Sequence, residues 1–199
     1  MEKNLQLDRL VFFCDAVVAI AITLLVFNLK LDQLPTGHFT FNDLALIWPK
    51  LLAFAISFLN IAILWTIHHN FFSYINKTDT KLRRYNLYWL FFIVIIPFTT
   101  SLVSTYFSDN PATVLYCGNI LLVTIFQNQI WDTAAERPGF LKEGTSLQVI
   151  RGYRLGCNVA MLNAALAVGV AFLSTLAAIL ILSLRVPMIG IARKLFKLH

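Results

Sequence analysis

The residues of this chain that are capable of chemistry lie in apolar surroundings. Asp15 is an aspartate within the apolar run 10–30, and His68 and His69 stand near the end of a second apolar run, 50–72. A charged side chain inside a bilayer costs at least ~2.5 kcal/mol, so its presence requires a reason. An acid and a histidine at matched depth could form a proton or cation site, or a structural pair between two helices. We favour the structural pair.

Other kinds of chemistry find little support in the sequence. Neighbouring helix positions such as His68 and His69 point about 100° apart, and no third ligand follows at the spacing of a zinc-binding helix. Cys14, Cys117 and Cys157 fall in apolar stretches without metal-ligand spacing. No nucleophile–base pair is visible. We therefore predict no metal site, no cofactor and no enzymatic activity.

The composition places these residues in a membrane. The chain has 199 residues, of which 58% are hydrophobic and 13% charged, whereas a soluble domain carries about 25% charged residues. Six stretches are long and apolar enough to span a bilayer, or nearly so. They lie near residues 10–30, 50–72, 87–107, 113–131, 153–172 and 175–192. We expect an all-α, multi-pass protein of the cell (inner or plasma) membrane, with a single six-helix domain over residues 1–199.

The basic residues predict the direction of insertion. Fourteen of the sixteen Lys and Arg residues lie on one side of the predicted spans, against Lys30 and Lys50 on the other. The fourteen include Arg185, Arg193, Lys194 and Lys197 at the C-terminal end. The positive-inside rule then places both the N- and C-termini in the cytoplasm, which requires an even number of spans. The same rule explains the net charge of +6, so no nucleic acid partner is predicted.

The first predicted span has two unlike faces. At about 100° per residue, one apolar stripe contains Phe13, Ala16, Ile20, Leu24 and Phe27, with Arg9 on its extension and Thr23 beside it. Asp15 projects to the opposite side, together with Val11, Val18 and Ile22. The side that holds the carboxylate must face protein. The apolar stripe could face lipid, protein or a pore.

The start of this span resembles a known signature. Arg9, Phe13, Cys14 and Asp15 are similar to the R-x-x-x-F-S-D motif of the transmembrane protein 175 family, which comprises endosomal and lysosomal potassium channels and single-repeat bacterial relatives. The similarity continues through DAVVAIAITLLVFNLKL, and the W-x-x-H pattern in the second span also matches. Cys14 stands where the family usually has serine. Because a thiol is a weaker donor than a hydroxyl, we expect a looser polar network around Asp15.

The resemblance implies a potassium-permeable channel in the lipid bilayer. Its subunits would form a homotetramer around a central pore that passes monovalent cations, with K⁺ as the permeant ion. The first span of each subunit would line the pore, and its constriction would contain Ile20, Thr23, Leu24 and Phe27. A structural polar network of Arg9, Phe13, Cys14, Asp15, Trp65 and His68 would hold this helix against its own subunit.

The alternative function is a secondary transporter or proton leak that uses Asp15 and His68 as a relay. Transporters usually show internal repeats and interrupted helices near the midplane, and no such repeat is visible in the sequence. The sequence also contains no T-V-G-Y-G filter and no regular series of arginines. A channel built from it would therefore select ions at a hydrophobic constriction, which can close by dewetting.

Overall fold

Seven helices follow one another through the described part of the chain. The computed structural model describes residues 2–29, 40, 41, 43, 47–107 and 109–196. The helices are α1 (Glu2–Leu24, continued by a 3-10 turn Leu25–Asn28), α2 (Trp48–Tyr74), α3 (Thr80–Thr105), α4 (Asn110–Ala135), α5 (Leu147–Ala171), α6 (Thr175–Ser183) and α7 (Arg185–Leu195). The predicted all-α class is confirmed. Within the described residues, the β pairing is an isolated bridge between Ile75 and Leu141.

Four helical segments are long and apolar enough to cross a membrane. They are Leu5–Asn28, Trp48–Tyr74, Thr80–Thr105 and Leu147–Ala171, and the bent pair α6–α7 makes a fifth if it is counted as one span. These segments support the prediction of a multi-pass membrane protein. The helix α4 is not among them, although the span predicted at 113–131 lies inside it.

The polar residues of α4 explain this difference, because they make the helix less apolar than the other long helices. Neighbouring helices form hydrogen bonds with these residues. The Tyr116 hydroxyl accepts hydrogen bonds from Ser57 Oγ and Asn60 Nδ2 of α2, both at 3.0 Å. Asn119 Nδ2 donates to the carbonyl of Phe92 in α3 at 3.1 Å, and Gln127 Nε2 donates to the carbonyl of Leu64 in α2 at 2.9 Å. The helix is therefore polar by composition and yet buried within the bundle.

The span predicted at 175–192 is two helices that meet at an angle of 46°. Pro187 explains the break, because it lacks the N–H that would bind the carbonyl of Ser183 in a continuous helix. Arg185, expected at the cytoplasmic surface, is instead only 2% exposed at the start of α7. Its position directly after the break turns it inward, where its Nε and Nη2 atoms have no hydrogen-bond partner among the described residues.

The loops after α2 and α4 meet at one end of the bundle. The backbone N–H of Asn76 donates to the carbonyl of Phe140 at 2.7 Å, and Arg137 forms an ion pair with Asp79 at the start of α3. Gly139, with φ of +72°, occupies the third position of the turn 137–140, which favours glycine. We call this the basic end of the bundle, because its loops and helix termini contain Lys77, Lys81, Arg83, Arg84, Arg137 and Lys142.

Candidate functional site

One face of α1 packs against its own subunit, and the other is uncovered. The packed face contains Cys14, Val18, Ala21 and Leu25, all at most 4% exposed. Their spacing of four, three and four residues is that of one helix face. The uncovered face contains the stripe predicted from the sequence, with Ile20 60% and Phe27 66% exposed. Ala16, Thr23, Phe13 and Leu24 are also exposed.

Asp15 is bound by the second helix. The indole Nε1–H of Trp65 donates to Oδ1 of Asp15 at 2.8 Å, and the aspartate is half-buried. Hydrogen bonds to ionised acceptors are shorter and stronger than neutral ones. An indole N–H can only donate, so this contact requires an acceptor at position 15. The bond fastens α1 to α2.

Cys14 is bound by the third helix through Asn86. The amide Nδ2 of Asn86 donates to Sγ of Cys14 at 2.9 Å, and its Oδ1 lies 2.7 Å from Nε2 of His68. Because Oδ1 is an acceptor, the proton of this second bond belongs to Nε2 of His68. The imidazole also stacks on the ring of Trp89, with centroids 4.1 Å apart and planes at 11°. Asn86 therefore joins α1, α2 and α3 at one point.

The partner of Asp15 differs from the predicted pair with His68 or His69. The prediction matched depths from helix ends expected at residues 10 and 72, whereas α1 begins at Glu2 and α2 ends at Tyr74. The larger correction applies to α1, because its earlier start places Asp15 farther from the helix end. The matching position on α2 therefore lies farther from Tyr74, in the direction of Trp65. His68 then faces α3, where Asn86 binds it.

Four of the six residues of the predicted polar network meet around Asn86 and Trp65. The two others lie elsewhere: Arg9 is exposed and Phe13 is 52% exposed on the uncovered face. Asn86 escaped the sequence analysis, although an asparagine within an apolar helix is a signal for an interhelical bond. Within the described residues, no three His, Cys, Asp or Glu side chains come together as a metal site requires.

A second polar contact holds the opposite end of α1. Asn28 Nδ2, at the end of the 3-10 turn, donates to the carbonyl of Pro97 in α3 at 2.9 Å. Between this contact and Cys14, the packed face of α1 is apolar. On the uncovered face, the hydroxyl of Thr23 donates to the carbonyl of Ile20 at 2.8 Å. Thr23 therefore directs the lone pairs of its oxygen, and not its proton, away from the helix.

Known proteins resemble this chain in sequence. A sequence model of the family described as endosomal/lysosomal potassium channel TMEM175 matches residues 9–97, which include the residues of all three interhelical hydrogen bonds described for α1. A curated potassium channel of Chamaesiphon minutus is 32% identical over 76% of this chain and 79% of its own length. The endosomal/lysosomal proton channel TMEM175 of Gallus gallus is 29% identical over 67% of this chain, but over only 29% of its own length.

A solved structure shares the fold over nearly the whole chain. The crystal structure of a lysosomal potassium-selective channel TMEM175 homolog from Chamaesiphon minutus superposes with a TM-score of 0.75. The match covers 94% of this chain and 98% of that chain, at 27% sequence identity. Together with the sequence matches, it confirms the resemblance found in the first span. The chain belongs to the TMEM175 family of ion channels, and its chemistry is ion conduction and not catalysis.

Proposed function

We propose that this protein is a potassium-permeable cation channel whose pore is lined by α1. The observation that carries the proposal is the uncovered apolar stripe on a helix whose other face is fixed by Trp65 and Asn86. A potassium channel that is 32% identical supports K⁺ as the permeant ion. The stripe could also face lipid, so its role is tested below by its accessibility from water.

A ring of subunits follows from the same geometry. A single α1 cannot enclose a passage, and heterologous contacts between identical subunits close into rings when the rotation permits. We propose a homotetramer in which the uncovered faces of four α1 helices meet at the axis. Each subunit would contribute six spans, with α4 and the bent pair α6–α7 each counted as one. The basic end of the bundle would face the cytoplasm, together with both termini.

The constriction would be built from apolar rings. Ile20, Leu24 and Phe27 are spaced by four and three residues, so their side chains would form successive rings along the pore. Narrow apolar rings resist hydration and can close a pore by dewetting. Thr23 would add an oxygen between these rings, because its proton is already donated to Ile20. No cofactor is needed for this mechanism.

Cysteine scanning tests whether α1 lines the pore. In a background lacking Cys14, Cys117 and Cys157, we expect small water-soluble thiol reagents to block current through cysteines at positions 20, 24 and 27. Cysteines at positions 18, 22 and 25 are the matched control on the packed face, and they should not respond. Equal block on both faces, or block at the control positions alone, would remove α1 from the pore.

Single-channel recording of the purified protein, with K⁺ and Na⁺ exchanged across the bilayer, tests the function itself. We expect unitary current steps and a reversal potential that shifts with the K⁺ gradient. Saturable flux that couples to a gradient, without unitary steps, would instead identify a transporter.

Proton permeation is the second candidate, because the relative from Gallus gallus is named a proton channel. The contacts argue against an Asp15–His68 relay within this subunit. Asp15 binds the indole of Trp65, which has no acceptor through which to pass a proton, and His68 is buried against Asn86. In vesicles without K⁺, an imposed pH gradient that collapses in the wild type but not in Asp15→Asn would restore the relay.

A further inference from the structure

A cavity of about 260 Å³ lies apart from α1, between α2, α4, α5 and α7. The part of the cavity farthest from the basic end is lined by one apolar residue from each of three helices: Ile63 from α2, Ala160 from α5 and Val186 from α7. Ile67 and Ile189 line the wall nearer the helix ends. The contacts of α1 with Trp65 and Asn86 do not involve this space, so the channel mechanism proposed above leaves it unexplained.

The cavity is polar at one end. Asn70 of α2, Tyr153 of α5 and Arg193 of α7 are each seven residues from the apolar residue of the same helix, or roughly 10 Å along the axis. All three lie near the basic end, since α2 ends at Tyr74, α5 begins at Leu147 and α7 ends at Leu195. The cavity therefore runs along the helices, from a mainly apolar interior, to which α4 adds Thr124 and Gln127, to a cationic mouth.

Arg193 at this mouth differs from the arginines that are paired nearby. Arg137 pairs with Asp79, and Arg154 pairs with both Asp132 and Glu136. Among the described residues, Arg193 has no ion pair, and its guanidinium lies 5.9 Å from the centroid of the Tyr153 ring. It is also exposed, so its planar fork of donors is open to an incoming anion.

We propose that this cavity binds an anionic membrane lipid. One acyl chain lies along the apolar wall formed by α2, α5 and α7, and the phosphate is held by Arg193, with the amide of Asn70 beside it. Basic pockets between membrane helices on the cytoplasmic side have this character. A free anion would use the mouth but gain nothing from the apolar interior, and a zwitterionic lipid would carry its own cation to Arg193. The proposed ligand is therefore anionic and has an acyl chain.

The test is native mass spectrometry of the purified full-length protein, which counts the lipid molecules retained per subunit. Phosphatidylglycerol and phosphatidylcholine are titrated separately, and we expect the former to be retained at lower concentration. In Arg193→Gln, retention of phosphatidylglycerol should weaken roughly tenfold. The matched control is Lys194→Gln, which removes the same charge from the next residue, about 100° around the helix, and should bind as the wild type does.

Filling the cavity tests the acyl chain without changing the charge. Ala160→Leu places a larger side chain in the apolar part, and it should lower phosphatidylglycerol retention although Arg193 is intact. Because Ala160 is buried and its variant could fail to fold, Val186→Trp provides a second test at a residue that is 51% exposed. Loss of retention in a variant that keeps its helical circular dichroism on heating supports the proposal.

Three results would overturn it. Equal weakening by Arg193→Gln and Lys194→Gln would show diffuse attraction to the basic surface. Displacement of phosphatidylglycerol by inorganic phosphate at the same concentration would identify a simple anion site. Unchanged retention in a folded Val186→Trp would place the acyl chain elsewhere. All of these readouts are independent of ion flux, so they stand whether or not the channel proposal is correct.

Discussion

The helices α1 and α4 use their polar residues in opposite ways. Five of the 24 residues Leu5–Asn28 are buried, against fourteen of the 26 residues of α4. The helix α4 has polar side chains on several sides, and Tyr116, Asn119 and Gln127 bind α2 and α3. The side-chain hydrogen bonds between α1 and other helices involve Cys14, Asp15 and Asn28.

The comparison distinguishes a helix that holds its neighbours together, α4, from a helix that leaves one face exposed, α1. An unpaired polar group within a membrane bundle is costly, so the hydrogen bonds that α4 makes to α2 and α3 hold these neighbours around it. The exposed face of α1 forms no such hydrogen bonds among the described residues. We therefore expect its side chains to tolerate substitution without loss of the fold. Overall hydropathy therefore gives the wrong ranking: the more apolar helix is the less buried one.

Truncation of one aromatic residue on each helix is the strongest test of this difference between α4 and α1. Trp131 of α4 is 0% exposed and packs against Phe71 and Tyr153, so Trp131→Ala should lower the free energy of unfolding by about 3–5 kcal/mol. Phe27→Ala, at 66% exposure, should cost less than about 0.5 kcal/mol. The loss of helical circular dichroism on heating in detergent measures both. A similar loss in the two variants would mean that α1 is not a free surface.

Removal of Asp15 should have the next largest effect, and it concerns folding and assembly. Asp15→Ala leaves the partly buried N–H of Trp65 without its acceptor, which costs about 1 kcal/mol or more. The detergent-extracted variant should lose oligomer on size exclusion. Asp15→Asn is the control, because its amide oxygen can still accept from Trp65. A variant Asp15→Ala that stays oligomeric and loses only pH-dependent flux would contradict the structural role.

Polar substitution on the uncovered face should change conduction and leave the fold intact. Ile20→Asn or Leu24→Asn supplies groups that replace lost water, so the proposed constriction should wet more easily. A barrier lower by about 1.4 kcal/mol raises the current roughly tenfold. Discrimination between K⁺ and Na⁺ should fall, as measured by reversal potentials. Val18→Asn on the packed face is the control, and it should impair packing without raising the current.

The smallest expected effect concerns the caps of two neighbouring helices. Asp79 caps α3 by accepting from the N–H of Leu82 at 2.8 Å, whereas Asp109 precedes α4 without a side-chain cap bond. Asp79→Ala should therefore cost about 1 kcal/mol, and Asp109→Ala should cost less. Thermal unfolding at neutral pH distinguishes the two variants.

The cost of Asp79→Ala should depend on pH. Burial alone would raise the pKa of Asp79, but the amide of Leu82 and the guanidinium of Arg137 outweigh it and hold the pKa below its ordinary value of 3.8. Because the folded-state pKa is the lower one, the contribution is complete above that ordinary value and is lost as the pH falls through the folded value. An effect that instead grew on acidification would contradict this assignment.

The sequence predicted the features that depend on one helix alone. The two faces of α1 follow from its period, and the stripe from Phe13 to Phe27 is exposed as the helical spacing requires. These inferences do not require knowing which helix packs against the one in question.

The features that depend on two helices were harder to predict. The partner of Asp15 was misplaced by one turn because helix ends cannot be located to better than a few residues from a single sequence. The break at Leu184 was missed, although Pro187 was a signal for it, and so Arg185 was counted among the surface cations. Asn86 was missed because its role depends on three helices meeting at one depth.

The 3-10 turn that ends α1 has a consequence for the stiffness of the proposed rings. Ile20 is β-branched and lies in regular helix, where a single χ1 rotamer dominates at about 90%. Leu24 and Phe27 are not β-branched, and Phe27 lies within the 3-10 turn. Moving the helix itself would strain the bonds of Asp15 and Asn28, whereas turning a side chain strains neither. In the proposed channel, the ring at Ile20 would therefore have a fixed width, and the opening would be adjusted by rotamer changes at Leu24 and Phe27.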